Sequence, residues 1–501
     1  MEFITSMYEH QLKAVDKLSK VKVGALYMEQ GTGKTRTTLE LINKRLAVKK
    51  AEHILWLCPC SVKENLKRDI IKHIGELDEE LITICGIETL SSSIKANLEL
   101  LELVENKNVY LIVDESNLVK NPNTKRTKNI IRLAEKCKYK LILNGTPISR
   151  NEADLFAQWY IVDWRILGYK SYWSFAHNHI EYDERIPGKI MRTLNTRYLI
   201  EKIALYSYQI KKSECLDLPD KTYEMEYYDL TDKQTKHYDS VANDLLFYVD
   251  ELEPHTIYRM FTGLQNVISG FNVNVEKEEY EVESLDIYGE IKQSKHRVKS
   301  MTKTPFFKNP LHNPRIEKLL QIIDSIVDNK IIIFCKFTSE INDIVSILNR
   351  KYGDNVAVPF NGEVTQKMRQ NNLDMFIGDA RFLVANKQCG AYGLNLQFCS
   401  YIIYYSNDWD YATRAQSEDR IHRIGQTANV HIIDICASYT LDERIIKCLN
   451  NKENLVDSFK NELEKTKDKK ELFAWIQKRD SRGKKYSKKL NKERCEELED
   501  A

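Results

Sequence analysis

No apolar run in this chain approaches the length that crosses a bilayer, which argues against helical membrane spans. The first residues, Met1-Glu2-Phe3-Ile4-Thr5, lack the basic-then-apolar pattern of a secretory signal. The 11 cysteines are scattered, several inside apolar, strand-like runs, so a disulfide framework is not indicated and reduced thiols in a cytosolic setting are expected. Cys58-Pro59-Cys60 and His177-Asn178-His179 have no second pair at ligand spacing, and both read as structural rather than metal-binding. Charge of one sign is also missing: 75 basic against 73 acidic residues leave a net +2, which singles out no partner. Nucleic acid would have to meet a local basic surface. With 501 residues, two or three domains are expected.

What the sequence does have is Met28-Glu29-Gln30-Gly31-Thr32-Gly33-Lys34-Thr35, set between an apolar stretch (residues 23–27) and a helical pattern from Arg36. Strand, glycine turn, Lys-Thr and helix is the geometry that holds a nucleotide triphosphate. Gly31 and Gly33 let backbone N–H groups around Gln30 and Thr32 turn onto phosphate oxygens, and the helix N-terminus adds partial positive charge. Lys34 can reach the outer phosphates and the Thr35 hydroxyl can ligate Mg2+. Met28 replaces the first glycine of the usual G-x-x-x-x-G-K-[ST] string. Gln11, on a helical pattern just upstream, has an amide able to read an adenine edge, although on that segment alone a solvated helix glutamine is the favoured reading.

A phosphate loop needs an acidic partner. Continuous apolar runs at residues 53–59, 81–85, 109–113 and 139–143 fit strands buried on both faces of a parallel sheet, with helical patterns between them. The third ends in Asp114-Glu115, where open α/β sheets bind ligands. Asp114 can hold Mg2+, and Glu115 can orient or deprotonate an attacking water. Together with Lys34 and Thr35 this makes ATP and Mg2+ the expected ligands. A second set of strands, near residues 331–335, 382–385, 401–405 and 430–434, lacks a phosphate loop. It carries Gln416-Ser417-Glu418-Asp419-Arg420-Ile421-His422-Arg423-Ile424-Gly425-Gln426, with Arg420 and Arg423 three apart on one helix face.

In order and in wording these strings resemble the superfamily two helicase motor, and within it the SWI/SNF-type DNA-dependent ATPases. Residues 114–122 (D-E-S-N-L-V-K-N-P) are similar to that family's D-E-x-H-x-x-K-N-P, residues 143–148 to its L-T-G-T-P-I, and residues 416–426 to its Q-x-x-D-R-x-H-R-I-G-Q. The resemblance covers roughly residues 5–450. It implies two tandem RecA-like doubly wound lobes: a first lobe over 1–220, a helical protrusion and linker insertion over 221–308, a second lobe over 309–450 and a charged helical tail over 451–501. The function it implies is an ATP-hydrolysing motor that translocates on double-stranded DNA and remodels DNA or protein–DNA complexes. A strand-separating DNA or RNA helicase of the same superfamily, or a weakly active DNA- or polymerase-binding module, is the alternative.

By the same resemblance, Lys34, Asp114, Glu115, Arg420 and Arg423 are catalytic, and Gln11 joins Gln30, Gly31, Thr32, Gly33 and Thr35 in holding ATP. Pro59, Thr89, Gly393, Asn395 and Trp409 fall at nucleic-acid positions. Asn117, Gly145, Thr146 and Gln416 fall at positions that couple nucleotide state to motion, with Asn117 and Asn144 standing where the family has histidine and threonine. Lys211-Lys212 stands in place of the paired arginines that end the family's first lobe. The aromatics Phe156, Trp159, Trp164, Trp173 and Phe175 could stack on bases, but core packing is favoured. Residues 271–308 read as a hairpin or mobile loop. From Lys478 to Arg494 nine basic residues meet two acidic ones, as fits either a DNA-binding arm or a solvated tail. A prokaryotic or phage-like minimal motor in the cytoplasm, serving a separate nuclease, polymerase or other DNA-bound protein, is the expected setting.

Overall fold

A computed structural model describes residues 1–145, 152–182, 190–246, 254–285, 291–387, 396–452, five positions between 455 and 465, and 469–477. Two compact units emerge. The first comprises Met1–Pro219, Tyr392–Phe398 and Asp419–Thr427; the second comprises Asp220–Ala391, Cys399–Glu418 and the chain from Ala428 onward.

The first unit is built on strands β1 (Val23–Met28), β2 (His53–Cys58), β3 (Ile82–Gly86), β4 (Val109–Val113) and β5 (Tyr139–Asn144). A short antiparallel pair follows, β6 (Ile180–Tyr182) with β7 (Ile190–Thr193), and then β8 (Ser207–Ile210). Six strands pair in the order β3-β2-β4-β5-β1-β8, every pairing parallel. Their continuous apolar runs are explained by burial on both faces. Leu26, Met28, Ile54, Trp56 and Ile112 pack on one side with Leu39 and Ile42 of helix α2 (Lys34–Ala47) and with Val15 of helix α1 (Glu9–Ser19). The alternate residues Ala25, Tyr27, Leu55, Leu57 and Leu111 pack on the other side with Ile130, Leu133 and Trp159. Phe156, Trp159 and Phe175 thus belong to the core, whereas Trp173 is 76% exposed. Each large side chain so buried contributes about 1.5–3 kcal/mol. The strand interiors therefore fix the sheet and leave the carboxyl ends of the strands to polar residues.

The second unit repeats the plan with β9 (Lys221–Tyr228), β12 (Ile331–Cys335), β13 (Ala357–Phe360), β14 (Phe382–Asn386), β15 (Tyr401–Tyr404) and β16 (Val430–Ala437), in the parallel order β13-β14-β12-β15-β16-β9. Two doubly wound parallel sheets are the tandem RecA-like arrangement. One element differs from the sequence reading: residues 221–228, placed with the helical protrusion, form an edge strand paired with β16 along its whole length. Apolar Tyr223, Met225 and Tyr227 alternate with polar Thr222, Glu224 and Glu226, most of them half-buried or exposed, and the partner lies about 200 residues downstream. Helices Asp232–Leu246 and Pro254–Ile268 follow, then an antiparallel pair of β10 (Phe271–Leu285) and β11 (Ile291–Pro305). Among the described residues, no helix is long and apolar enough to cross a membrane.

Candidate nucleotide site

The carboxyl edge of the first sheet collects nearly every polar string of the first unit, one per strand and in sheet order. Glu88-Thr89 follows β3, Pro59 follows β2, Asp114-Glu115 follows β4, Asn144-Gly145 ends β5, the glycine loop follows β1, and Lys211-Lys212 follows β8. Neighbouring strands lie about 4.8 Å apart, so the loop and the acidic pair are two strands, about 10 Å, from each other.

Gly31 and Gly33 both have positive φ, 83° and 87°, and Gly33 caps α2 in the left-handed conformation. Lys34 Nζ donates to the Met28 carbonyl at 2.9 Å, so the lysine lies back along the loop. Gln11 is 2% exposed and its amide is fully engaged. Its Oε1 accepts from Tyr8 N at 2.9 Å, and its Nε2 donates to the carbonyls of Thr32 (3.3 Å) and Gly33 (3.2 Å). His10 Nε2 meets the Thr32 carbonyl at 2.8 Å. Two consecutive residues of α1 therefore grip the loop from outside, and Gln11 holds loop carbonyls here. Sequence reasoning missed His10, whose only signal was adjacency to Gln11.

Glu115 adopts a left-handed backbone, φ 48° and ψ 54°, which costs a non-glycine residue about 1–3 kcal/mol and aims its side chain beside Asp114. Its backbone N–H donates to Asp114 Oδ1 at 2.9 Å, and Gln30 Nε2 reaches Glu115 Oε1 at 3.4 Å. Gln30 Oε1 is buried without a partner. A cleft brings the glycine loop, Lys34, Thr35, Asp114, Glu115, Arg420 and Arg423 together. Val62, Asn65, Leu66 and Asp69 complete its wall. Asn65 and Asp69 are four apart on one helix, a spacing that could have flagged them. Electrostatics follow from the enclosure. Burial, then the Glu115 charge, pushes the Asp114 carboxyl up to about 7, with Lys34 opposing. Burial lowers Lys34, against Glu115 and Asp114, and pulls Arg420 down to about 10 against Glu115 and Asp419.

Residues 75–269 match the SNF2-related domain, and residues 314–425 match the helicase conserved C-terminal domain. The chain belongs to the SWI/SNF-type helicase-like ATPases. An uncharacterized ATP-dependent helicase of Mycoplasma genitalium is 25% identical over 86% of this chain and 40% of its own length. The putative ATP-dependent helicase/translocase YwqA of Bacillus subtilis is 24% identical over 69% of this chain and 35% of its own. The uncharacterized ATP-dependent helicase YqhH of the same bacterium is 24% identical over 91% and 80%. The chain thus spans only about two-fifths and one-third of the first two relatives. The solved Sulfolobus solfataricus SWI2/SNF2 ATPase core in complex with double-stranded DNA aligns over 91% of this chain and 93% of its own, at 22% identity. Its TM-score of 0.39 is too low to support an inference.

The residues at the family's nucleic-acid and coupling positions are placed as follows. The Pro59 and Thr89 segments converge: Cys60 N donates to Glu88 Oε2 at 2.9 Å, and Cys60 Sγ lies 3.5 Å from Thr89 Oγ1. Trp409 packs against Tyr258 and Phe261 with Lys336 Nζ 3.5 Å above its ring, so one face of the indole is covered within the second unit. Asn117 Oδ1 is buried without a partner, and Gly145 N donates to Asn144 Oδ1 at 2.8 Å. Gln416 lies on helix Tyr411–Glu418 of the second unit. Thr146, Gly393, Asn395 and the basic stretch 478–494 lie outside the described residues.

Proposed function

We propose that this SWI/SNF-type chain is an ATP-hydrolysing motor that translocates on double-stranded DNA and displaces or remodels what is bound there. The observation that carries the proposal is the shared cleft, in which a glycine loop, a paired Asp–Glu and two arginines surround one space. Loop N–H groups and Lys34 would receive the phosphates. Thr35 and Asp114 suit Mg2+: a hydroxyl and a carboxylate line the same cleft, and burial with the neighbouring Glu115 charge raises Asp114 to about 7, a cost that a bound cation would relieve. The ion would supply charge neutralisation to the phosphates. Glu115 would orient the attacking water and take its proton, and Arg420, whose charge faces Glu115 and Asp114, would meet the phosphoryl charge as it develops. Loss of that phosphoryl group on hydrolysis releases the arginines, and each cycle advances the motor along one strand. Contacts mainly to phosphates would give little sequence preference and steep salt dependence.

Steady-state ATP hydrolysis by the wild type and Glu115→Gln, without nucleic acid and with duplex DNA, single-stranded DNA or RNA, tests the proposal. Strong stimulation by duplex DNA, falling at least 100-fold in Glu115→Gln while ATP still binds, is the expected outcome. Stimulation by single strands or RNA alone, joined by strand displacement, would transfer the assignment to a helicase. No hydrolysis under any condition would overturn it.

A further inference from the structure

Lys212 is a lysine that the proposed chemistry does not use, yet it is 8% exposed. A buried ammonium is costly unless its donors are matched. The partners of this one are distributed in a telling way. Its backbone N–H donates to Glu29 Oε2 at 2.7 Å, and Glu29 belongs to the phosphate loop, where its carbonyl accepts the Thr32 hydroxyl at 2.7 Å. Its side chain points the other way along the chain: Nζ donates to Asp419 Oδ1 at 2.5 Å and to the His422 carbonyl at 2.8 Å. Asp419 immediately precedes Arg420, and His422 immediately precedes Arg423. Both anchors therefore lie on the short turn that carries the two arginines. His422 Nε2 in turn meets the Pro219 carbonyl at 2.8 Å, a second tie to the same stretch. Crowding at the other end agrees. A methyl group on Gly31 would lie 2.6 Å from Arg423 Cβ and 3.6 Å from Lys212 Cε.

We propose that Lys212 is a positioning residue for the arginine pair, a staple that holds the Asp419–Arg423 turn against the phosphate loop. Two charge-assisted bonds from one ammonium fix both ends of the turn, so Arg420 and Arg423 stay aimed at the cleft before any phosphate arrives. The same ammonium engages the Asp419 carboxylate, which stands beside Arg420 in sequence and would compete with a phosphate for it. A methionine there could do neither, and an arginine, a cation with several donors, could do both. The catalytic part of this inference rests on the reading that Arg420 and Arg423 act on a phosphoryl group; the stapling part does not.

The full-length chain is compared as wild type, Lys212→Met, Lys212→Arg and Asp419→Asn, each checked by its melting curve. Amide hydrogen exchange across residues 419–427 is measured without nucleotide, alongside ATP hydrolysis and ATP affinity. Lys212→Met should speed exchange in that peptide at least tenfold, and Asp419→Asn should speed it too, with no further gain when the two are combined. The kcat for ATP should fall tenfold or more in Lys212→Met while Kd changes less than threefold, and Lys212→Arg should recover most of both. Unchanged exchange in Lys212→Met, or an increase spread evenly over the first unit, overturns the staple whatever the hydrolysis shows. A parallel loss of kcat and affinity overturns the positioning role. A wild type that hydrolyses no ATP removes the motor reading alone, because the exchange result still decides the staple.

Discussion

Gly33→Ala is the sharpest test of how the phosphate loop is held. Gly33 has φ 87° and ψ 40°, and a left-handed conformation costs an L-residue about 1–2 kcal/mol. A methyl group there would stand 2.0 Å from Gln11 Nε2, so the amide must leave. It would forfeit its bonds to the Thr32 and Gly33 carbonyls, worth about 1 kcal/mol each at most given their lengths of 3.3 and 3.2 Å. The two terms sum to about 2–4 kcal/mol. The free loop can relax and escape much of this cost, whereas phosphate binding requires the left-handed turn, so the loss falls on ATP affinity. At 1.4 kcal/mol per decade, Kd should rise about 30-fold or more, read by calorimetric titration. The discriminating measurement is the double variant Gln11→Ala, Gly33→Ala. With the amide gone, the added methyl meets no obstacle and only the backbone term remains, about tenfold. The two substitutions should therefore couple by about 1–2 kcal/mol. Strict additivity would refute the claim that Gln11 holds the loop.

Two further predictions concern the second unit. Arg315 is 1% exposed, with Nη2 3.0 Å from Asp442 Oδ2 and 3.2 Å from the Ile435 carbonyl; Arg315→Met, leaving Asp442 buried and uncompensated, should cost about 3–5 kcal/mol in urea unfolding. Adding Asp442→Leu should restore most of it, and a double variant as unstable as the single would show that packing, not charge, is at stake. Lys387, 2% exposed, is held down to about 7 by burial, against 10.5 for the free side chain. Below pH 7 the lysine is protonated in both states and the burial penalty is fully present. Between pH 7 and 10.5 the unfolded chain binds the extra proton, so stability rises with pH, by up to about 1.4 kcal/mol per unit from this group. Lys387→Met should flatten the slope in that window, and an unchanged slope would mean that Lys387 keeps its ordinary pKa.

The parts of the fold legible in the sequence were those where one segment carries its own reason. Strands β1, β2, β4, β5 and β12 are mostly apolar runs, with Lys140 in β5 a polar exception, because both faces of a parallel sheet are covered. The glycine loop and Asp114-Glu115 were legible because their chemistry sits in adjacent residues. What stayed hidden depends on distant partners. β9 is a strand only because β16 pairs with it, and β8 has four residues with no apolar run to mark it. Nothing in the sequence around Arg414 marks it, yet it is buried with Nη1 and Nη2 each 2.7 Å from an Asp434 oxygen. Nothing in the helix that carries Gln11 could reveal that its amide reaches loop carbonyls 21 and 22 residues away.

The two units share an architecture and differ in what stands at the carboxyl edge, and that difference decides which of them can take a nucleotide. In the second unit the edge is filled by its own groups. Lys336 N donates to Ser406 Oγ at 2.7 Å, Ser406 Oγ to Glu340 Oε2 at 2.6 Å, Asn386 Nδ2 to the Lys336 carbonyl at 3.0 Å, and Asn407 Nδ2 to Asp434 Oδ1 at 2.6 Å. Lys336 Nζ lies over Trp409, and Lys387 Nζ reaches Asn407 Oδ1 at 3.3 Å. Among the described residues, the polar groups of this network already have the partners that burial demands, so the network has little to gain from a ligand. At the edge of the first unit the polar groups are not all matched: Gln30 Oε1 and Asn117 Oδ1 are buried without partners, Glu115 holds a strained backbone, and burial with the Glu115 charge holds Asp114 up near 7. Each of these is a cost that a folded protein carries only where something else removes it. On the proposed reading, a triphosphate with its cation would meet the charge on Asp114 and the donors of the loop together. The same edge that looks poorly satisfied as structure is therefore the one arranged for a ligand, and Gln30→Ala should raise stability slightly while weakening ATP binding, a trade that a purely structural edge would not show.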